Sequence, residues 1–439
     1  MLLQHAEPAT GDISNTRADV CAYAWVVFTL TVGLLLSDYM SRQVLNAVFP
    51  MLKFAWSLSD AQLGSLSSIV ALMVGVLTLP LSVLADRWGR VKSIALMASM
   101  WSLATLGCAI SANYGEMLLA RAFVGIGEAA YGSVGVAVVL SIFPTRLRAT
   151  LVAAFMAGGA LGSVLGMALG GAVAAQMGWR WSFGAMACLG IVLVVIYGFV
   201  VSEKRLAPLG AAVGRQQTRA CARLSAGQLM KQLLSTKSVV CAYVGSGIHL
   251  FVPAALWAWM PSFLNRYYGM PVGSAAAGAA VLVLITGLGM VLCGNLTDRL
   301  CKGDPARKWK CAISYCAMSF TLLIVGFHLP HGHLQLVLIG GGMLFSAGAT
   351  GPSGAMVANL TPPSICASAF ATLTLVNNLL GLAPAAFVTG VLADRIGLLD
   401  ALRLVPFAAL LALIVFAIGS RHYRRDLDRL NTLREQATV

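Results

Sequence analysis

The chain has 439 residues, of which 59% are hydrophobic and only 10% are Asp, Glu, Lys or Arg. Soluble domains carry about 25% charged residues, and burial in a soluble core does not explain so large a difference. A lipid environment does explain it, because a bilayer penalises charge along the whole surface of a helix. The net charge of +14 does not indicate nucleic-acid binding, because the basic residues lie in short loops, where they set membrane topology.

Twelve apolar segments follow one another along the chain. A membrane span needs roughly 20 apolar residues, and the candidate segments are 22–48, 61–85, 92–112, 115–142, 148–175, 181–201, 238–265, 273–297, 310–328, 334–358, 364–391 and 401–420. Lys and Arg collect in alternate loops, and the positive-inside rule then places both termini in the cytoplasm. The sequence therefore predicts an all-α integral membrane protein, and we expect it in a bacterial inner membrane.

A long basic stretch divides these segments into six plus six. It predicts five parts: a cytoplasmic N-terminus 1–21, a six-helix bundle 22–201, a cytoplasmic linker 202–237, a second six-helix bundle 238–420 and a cytoplasmic tail 421–439. The pair Asp86-Arg87 follows the second segment and Asp298-Arg299 follows the eighth. Because the same pair occupies the same place in each half, we expect two pseudo-symmetric bundles related by a repeat.

Two motifs carry a family resemblance. The loop 86–92, Asp-Arg-Trp-Gly-Arg-Val-Lys, resembles the signature between spans 2 and 3 of the major facilitator superfamily, with Ser82 where that signature usually opens with Gly. In span 4, residues 121–129 resemble the fourth-span motif of the family, and Glu128 within Gly-Ile-Gly-Glu-Ala-Ala-Tyr is typical of the Spinster branch and similar to the anion:cation symporter branch. The resemblance implies the major facilitator fold and transport by alternating access.

The loops after the second and the eighth apolar segments contain the candidate gating residues. They are Asp86, Arg87, Gly89, Arg90, Asp298 and Arg299. An aspartate there is able to cap and pair with cationic groups at neighbouring helix ends, which would hold one face of the transporter closed. The alternative is that these charges only set topology.

Ionisable residues inside spans are costly and mark functional sites. Asp38 and Arg42 lie four residues apart in span 1 and share a helix face. The guanidinium of Arg42 offers a planar fork for a carboxylate or phosphate, and the resemblance implies an anion-binding role for this arginine, although Ser41 stands where those branches usually have an acid. Asp38 would then be free to take a proton. The alternative is an internal ion pair between Asp38 and Arg42.

Span 4 contributes two further candidates for proton coupling. Glu128 falls near mid-membrane, and an anion bound at Arg42 would remove a counter-charge so that Glu128 gains a proton. Arg121 lies about two turns earlier on roughly the same face, and by resemblance it would assist proton transfer. The alternative is a permanent salt bridge from Glu128 to Arg121 or Arg42, with Arg121 serving a structural role.

Several other polar and aromatic residues are predicted to bind substrate beside Arg42. They are Tyr39, Tyr131, His249, Trp257, Asn377 and Asn378. Each has an alternative structural interpretation, because buried histidines are often only hydrogen-bonded, aromatic rings fill cores, and asparagines join membrane helices.

The predicted function is transport driven by an ion gradient. The sequence contains no Walker motif for ATP, no nucleophile–base pair and no metal-ligand cluster, so we expect neither an enzyme nor a cofactor. We predict a monomeric, proton-coupled transporter of an organic anion, either a small carboxylate or an amphipathic lysolipid-like molecule, with symport favoured. The expected partners are this substrate, protons and membrane lipids. The alternatives are a proton-antiporting exporter of lipophilic compounds and a non-transporting membrane receptor.

Overall fold

The computed structural model describes residues 10–203, 226–302, 304–362 and 365–436, so residues 204–225 of the predicted linker lie outside it. Twelve of its helical segments are long and apolar enough to cross a membrane. We number them as spans 1 to 12: Thr10–Ala47; Asp60–Trp88; Arg90–Ile110; Tyr114–Glu128 with Tyr131–Ile142; Thr145–Met177; Trp179–Val200; Lys237–Tyr268; Val272–Leu300; Arg307–His328; His333–Ser346 with Thr350–Asn359; Cys366–Val376 with Asn377–Leu382 and Ala383–Ile396; and Leu398–Leu404 with Pro406–Gln436. Short helices Phe49–Trp56 and Ala226–Leu233 precede spans 2 and 7.

The structure confirms the predicted all-α fold of twelve spans but interrupts three of them. Spans 4 and 10 each break near their middle, after Glu128 and after Ser346. Span 11 contains a π-helix, Asn377–Leu382. Pro384 has no N–H to donate to the carbonyl of Leu380, so α-helical pairing cannot continue there. Hydropathy did not reveal these breaks, because residues 129–130 and 347–349 are small and the two asparagines of span 11 lie within a long apolar segment.

The two halves of the chain repeat the same local geometry. The turn between spans 5 and 6 is made by Gly178 with φ of 92°, and the equivalent turn between spans 11 and 12 by Gly397 with φ of 87°. L-residues rarely adopt this left-handed region, so only glycine turns the chain so sharply without strain. Together with the matching breaks in spans 4 and 10, these turns show the pseudo-symmetry of the two bundles.

The two halves meet at one face of the bundle. We call the face where span 1 begins and span 12 ends the terminal face, and the other the opposite face. Span 2 packs on span 11, where Gly64 faces the carbonyl of Ala386. Span 5 packs on span 8, where Gly171 faces Ala276. Because these contacts run from the opposite face to mid-span, this conformation is closed at the opposite face.

A stripe of glycines in span 5 binds that helix to span 1 within the first half. The stripe consists of Gly158, Gly162, Gly166 and Gly170, four residues apart, and each faces span 1. A Cβ on Gly162 would lie 2.6 Å from the carbonyl oxygen of Leu36. Small residues thus let two backbones approach closely, which makes spans 1 and 5 one rigid unit.

We expect Gly162→Ala to destabilise the protein by about 1–3 kcal/mol, because the added methyl group meets main chain that cannot move aside. The matched control is Gly184→Ala in span 6, where an added Cβ would meet no atom within 4 Å and stability should be kept or slightly raised. Thermal unfolding in detergent, followed by tryptophan fluorescence, compares the two. Equal melting temperatures would contradict the close contact of spans 1 and 5.

Candidate functional site

An ion pair between spans 1 and 4 lies at the centre of the candidate site. The Nε atom of Arg42 donates to Oε2 of Glu128 at 2.5 Å, with 22% of the Arg42 side chain exposed and none of Glu128. The ring of Tyr39 packs beside the guanidinium, whose carbon lies 5.6 Å from the ring centre. Among the described residues, the two terminal nitrogens of Arg42 have no hydrogen-bond partner. One edge of the fork is therefore held in place while the other is available to a ligand.

A second carboxyl group lies next to this pair. The Asp38 side chain is buried within hydrogen-bonding reach of Glu128, with Arg42 and Arg121 as its cationic neighbours. Atoms Oδ1 of Asp38 and Oε1 of Glu128 are buried without a hydrogen-bond donor in the described part of the chain. Carboxylate oxygens only accept hydrogen bonds, so one proton held between the two groups would give each of these oxygens a partner.

Arg121 holds main chain in place next to the site. Its guanidinium is buried and donates to the carbonyl oxygens of Ser41 at 2.9 Å, Leu66 at 3.3 Å and Arg42 at 3.5 Å. These bonds join span 4 to spans 1 and 2, and one of them holds the main chain of Arg42 itself. The geometry therefore gives Arg121 a structural task, the second of the two roles considered from the sequence.

The predicted residues of the second half lie on spans 7 and 11. The indole of Trp257 is partly exposed, and its Nε1 has no acceptor among the described residues. Asn377 and Asn378 begin the π-helix, and the Oδ1 atoms of both lack a donor in the same part of the chain. Asn378 also packs on Gly75 of span 2, so it joins the two halves near mid-span.

The structure places two predicted substrate-binding residues inside the bundles. Tyr131 is fully buried, and its hydroxyl donates to the carbonyl of Thr31 at 2.6 Å. His249 is buried between spans 7, 9 and 10, with Nδ1 3.4 Å from the sulfur of Cys316 and Nε2 accepting from the Ala349 N–H at 3.3 Å. Both ring nitrogens of His249 are thus engaged at the break in span 10, as expected of a structural histidine.

The predicted gating residues lie at the terminal face. Gly89 has φ of 94° and turns the chain from span 2 into span 3. Arg90 donates to the carbonyl of Ala137 at 3.3 Å, within its own half. Arg87, Asp298 and Arg299 are exposed, whereas the side chain of Asp86 lies outside the described part. No hydrogen bond or ion pair joins the halves at this face among the described residues, in agreement with closure at the opposite face.

A charged latch at the opposite face was not predicted from the sequence. Asp60 accepts from both terminal nitrogens of Arg266 in the other half, at 2.8 and 2.6 Å, and from Lys53 at 2.6 Å. Asp394 in turn accepts from the N–H groups of Asp60 and Ala61, at 2.7 and 2.8 Å. We call these residues, Lys53, Asp60, Arg266 and Asp394, the outer latch. Sequence analysis missed them because they lie at helix ends, where charge is ordinary.

Two bundles that meet at one face, with buried charges and broken helices near mid-span, form the architecture of a secondary transporter. The sequence profile of the Major Facilitator Superfamily matches residues 31–384. The chain belongs to this superfamily.

Similar proteins include members of the branches that the motifs resemble. The chain is 27% identical over 304 residues to a probable L-galactonate transporter of Escherichia coli K12, covering 65% of each protein. It is 25% identical over 427 residues to a sphingosine-1-phosphate transporter of Danio rerio, covering 89% of this chain and 83% of that one. A crystal structure of a bacterial homologue of Spinster superposes with a TM-score of 0.80 at 20% identity, covering 92% and 98% of the two chains. The relatives confirm the resemblance, and the solved structure confirms the fold.

Proposed function

We propose that this protein is a proton-coupled symporter of an organic anion. The observation that carries the proposal is the geometry of Arg42, whose guanidinium is held by Glu128 on one edge and keeps its terminal nitrogens without a protein partner in the described part of the chain. Two parallel N–H groups match the two oxygens of a carboxylate or phosphate. The exposed fraction of this side chain supports access for a ligand.

The Arg42–Glu128 ion pair couples binding of the anion to binding of a proton. An anion that binds Arg42 competes with Glu128 for the same guanidinium, and this weakens the pair. Glu128 and Asp38 then lie close together with less positive charge to balance them, so one proton on this carboxyl pair becomes favourable. The anion and the proton therefore bind together. Because the two carry no net charge in sum, the transporter moves them across the membrane more easily than it would move the anion alone.

The proposed substrate class draws on the relatives and on unpartnered polar atoms in spans 7 and 11. The related galactonate and sphingosine-1-phosphate transporters are named for molecules that each carry an anionic group, a carboxylate in the first and a phosphate in the second, together with at least one hydroxyl group. Trp257, Asn377 and Asn378 contribute one buried donor and two buried acceptors without partners among the described residues. These atoms suit a ligand that carries hydroxyl groups as well as an anion, either a sugar acid or a lysolipid.

We further propose that the terminal face is cytoplasmic, in a bacterial inner membrane. The exposed basic residues Arg87 and Arg299 lie at this face, and positive residues favour the cytoplasmic side. The present conformation is then inward-facing. A monomer contains the whole proposed site, since Arg42, Glu128 and the residues of spans 7 and 11 belong to one chain.

Proton uptake into proteoliposomes, read with an internal pH dye, tests the proposal. With galactonate and sphingosine-1-phosphate as probes, wild type should take up protons when one of them is added. Arg42→Ala should lose at least about 95% of this flux. Arg42→Lys should keep less than about a tenth of it, because lysine retains the charge but not the planar fork.

The matched control is Arg403→Ala, which removes an arginine that pairs with Asp400 on the surface of one half. It should leave the flux within about twofold of wild type. Flux that survives the loss of Arg42 would contradict the anion site and favour an exporter of lipophilic compounds. Absence of flux with either probe would contradict proton-coupled transport of these anion classes.

A further inference from the structure

Two thiols lie next to each other where spans 8 and 9 meet at the terminal face. The Sγ atoms of Cys301 and Cys311 are 3.9 Å apart, and both residues are buried. No other two cysteines of the described part of the chain form such a contact. Neither residue belongs to the proposed transport site, so the function proposed above leaves this pair without a role.

The two helices, rather than the loop between them, hold the thiols in place. The hydroxyl of Tyr315 in span 9 donates to the carbonyl of Cys293 at 3.0 Å and lies 3.0 Å from the hydroxyl of Thr297. Cys301 lies one turn beyond Thr297, and its N–H still donates to the Thr297 carbonyl. Cys311 likewise lies one turn before Tyr315, on the same face of span 9. The thiol contact therefore continues an interface that hydrogen bonds already fix.

The separation of the sulfur atoms is close to that of a bonded pair. A disulfide holds its two sulfur atoms about 2.05 Å apart, so each sulfur has to move by only about 1 Å from its present position. Rotation about the Cα–Cβ bonds supplies such a movement. Cys301 is also the residue at which span 8 gives way to the loop, so its main chain is less constrained than that of a residue inside a helix.

We propose that Cys301 and Cys311 are a site of reversible disulfide formation, which joins the end of span 8 to the start of span 9 by a covalent bond. The oxidant is a peroxide. One thiolate attacks a peroxide oxygen to form a sulfenic acid, and the hydroxide that leaves takes up a proton. The second thiolate attacks the sulfenic sulfur and displaces water. The two thiols thus give up two electrons and two protons, and hydrogen peroxide becomes two molecules of water.

The pair is expected to be reduced in the resting cell. The terminal face is proposed above to be cytoplasmic, and cytoplasmic thiols are kept reduced. Burial, together with the neighbouring Cys311 thiol, raises the pKa of Cys301 to about 11. The Cys301 thiolate is therefore rare at neutral pH, and oxidation is slow. The disulfide forms only while an oxidant persists, and thiol–disulfide exchange with a small thiol then reverses it.

The bond would restrain the end of span 8 at the terminal face. The predicted gating residues Asp298 and Arg299 lie within one turn before Cys301. Spans 8 and 9 belong to the same half, so the bond does not join the two halves. We therefore expect oxidation to stabilise the second half rather than to block its movement against the first.

The test treats purified, full-length wild type with hydrogen peroxide, alkylates the remaining thiols and maps the peptides by mass spectrometry. We expect a cross-linked pair of peptides that contains Cys301 and Cys311 and lacks two hydrogen atoms. Dithiothreitol should return both thiols to the free form. The melting temperature of the oxidised protein should lie about 2–5 °C above that of the reduced protein, because the bond closes a loop that is open in the reduced, unfolded chain.

Two variants make the test specific. Cys311→Ser removes one thiol of the pair and should lose both the cross-link and the thermal shift. Cys293→Ser is the matched control, because it removes a buried cysteine one turn further into the same interface. It should form the Cys301–Cys311 cross-link and show the same thermal shift as wild type.

The outcomes are separate from those of the transport assays. Oxidised wild type in which Cys301 and Cys311 are both still alkylated overturns the inference, and so does a cross-link from either residue to another cysteine. An equal melting temperature with and without the cross-link overturns its stabilising role. None of these results depends on Arg42 or on the substrate, so failure here leaves the symport proposal standing.

Discussion

Glu128→Gln is expected to lower uptake driven by a proton gradient at least about 100-fold, while exchange of substrate across the membrane persists. Glutamine has the shape of glutamate, and its carbonyl oxygen is able to accept from Nε of Arg42. The hydrogen bond seen at 2.5 Å is therefore kept, while the negative charge is lost. It cannot bind a proton and release it within the cycle. The transporter would then move substrate in both directions without coupling it to the gradient.

Exchange of labelled substrate and net uptake, measured side by side in proteoliposomes, check this expectation. Glu116→Gln is the matched control: it removes the other glutamate of span 4, which is exposed and accepts from Ala112 and Asn113 at the helix start. It should leave both rates within about twofold of wild type. Normal gradient-driven uptake by Glu128→Gln would mean that Glu128 is not needed as the proton carrier.

Asp60→Asn is expected to shift the conformational equilibrium away from closure at the opposite face. The Asp60 side chain is 4% exposed and holds Arg266 of the other half through two hydrogen bonds. Loss of its negative charge leaves Arg266 and Lys53 without the carboxylate that they contact at the closed interface. A cost of about 2 kcal/mol in the closed state corresponds to a roughly 30-fold shift toward states that are open at this face.

Pulsed electron resonance between spin labels at Phe54→Cys and Leu334→Cys measures this shift in a background without reactive cysteines. The two positions are exposed, lie at the opposite face and belong to different halves. Asp400→Asn is the matched control, because it breaks an exposed ion pair to Arg403 within one half. We expect a longer distance population only for Asp60→Asn. Identical distance distributions in all three proteins would show that the outer latch does not hold the halves together.

The site was only partly predictable from sequence. Glu128 and Arg42 stood out because charges inside apolar spans are rare, and the structure brings them into contact across spans 1 and 4. The sequence left open whether Glu128 pairs with Arg42 or with Arg121, because helix periodicity relates residues within a span and not between spans. Tyr131 and His249 were expected to bind substrate, but their enclosed positions depend on how each helix is rotated in its bundle, which apolar composition leaves undetermined.

The sequence by itself determined the class of this protein: its composition and twelve apolar segments indicated a membrane protein of many spans. The repeated Asp-Arg pair indicated two related halves, and the motifs in spans 2 to 4 carried the family resemblance. They were sufficient because the bilayer acts on each span separately, so hydropathy is read locally. Tertiary structure alone decided the outer latch, the buried position of Arg121 and the pairing of Arg42 with Glu128. Asp60 and Arg266 are 206 residues apart, and such contacts exist only once helix rotation and helix–helix packing have brought distant side chains together.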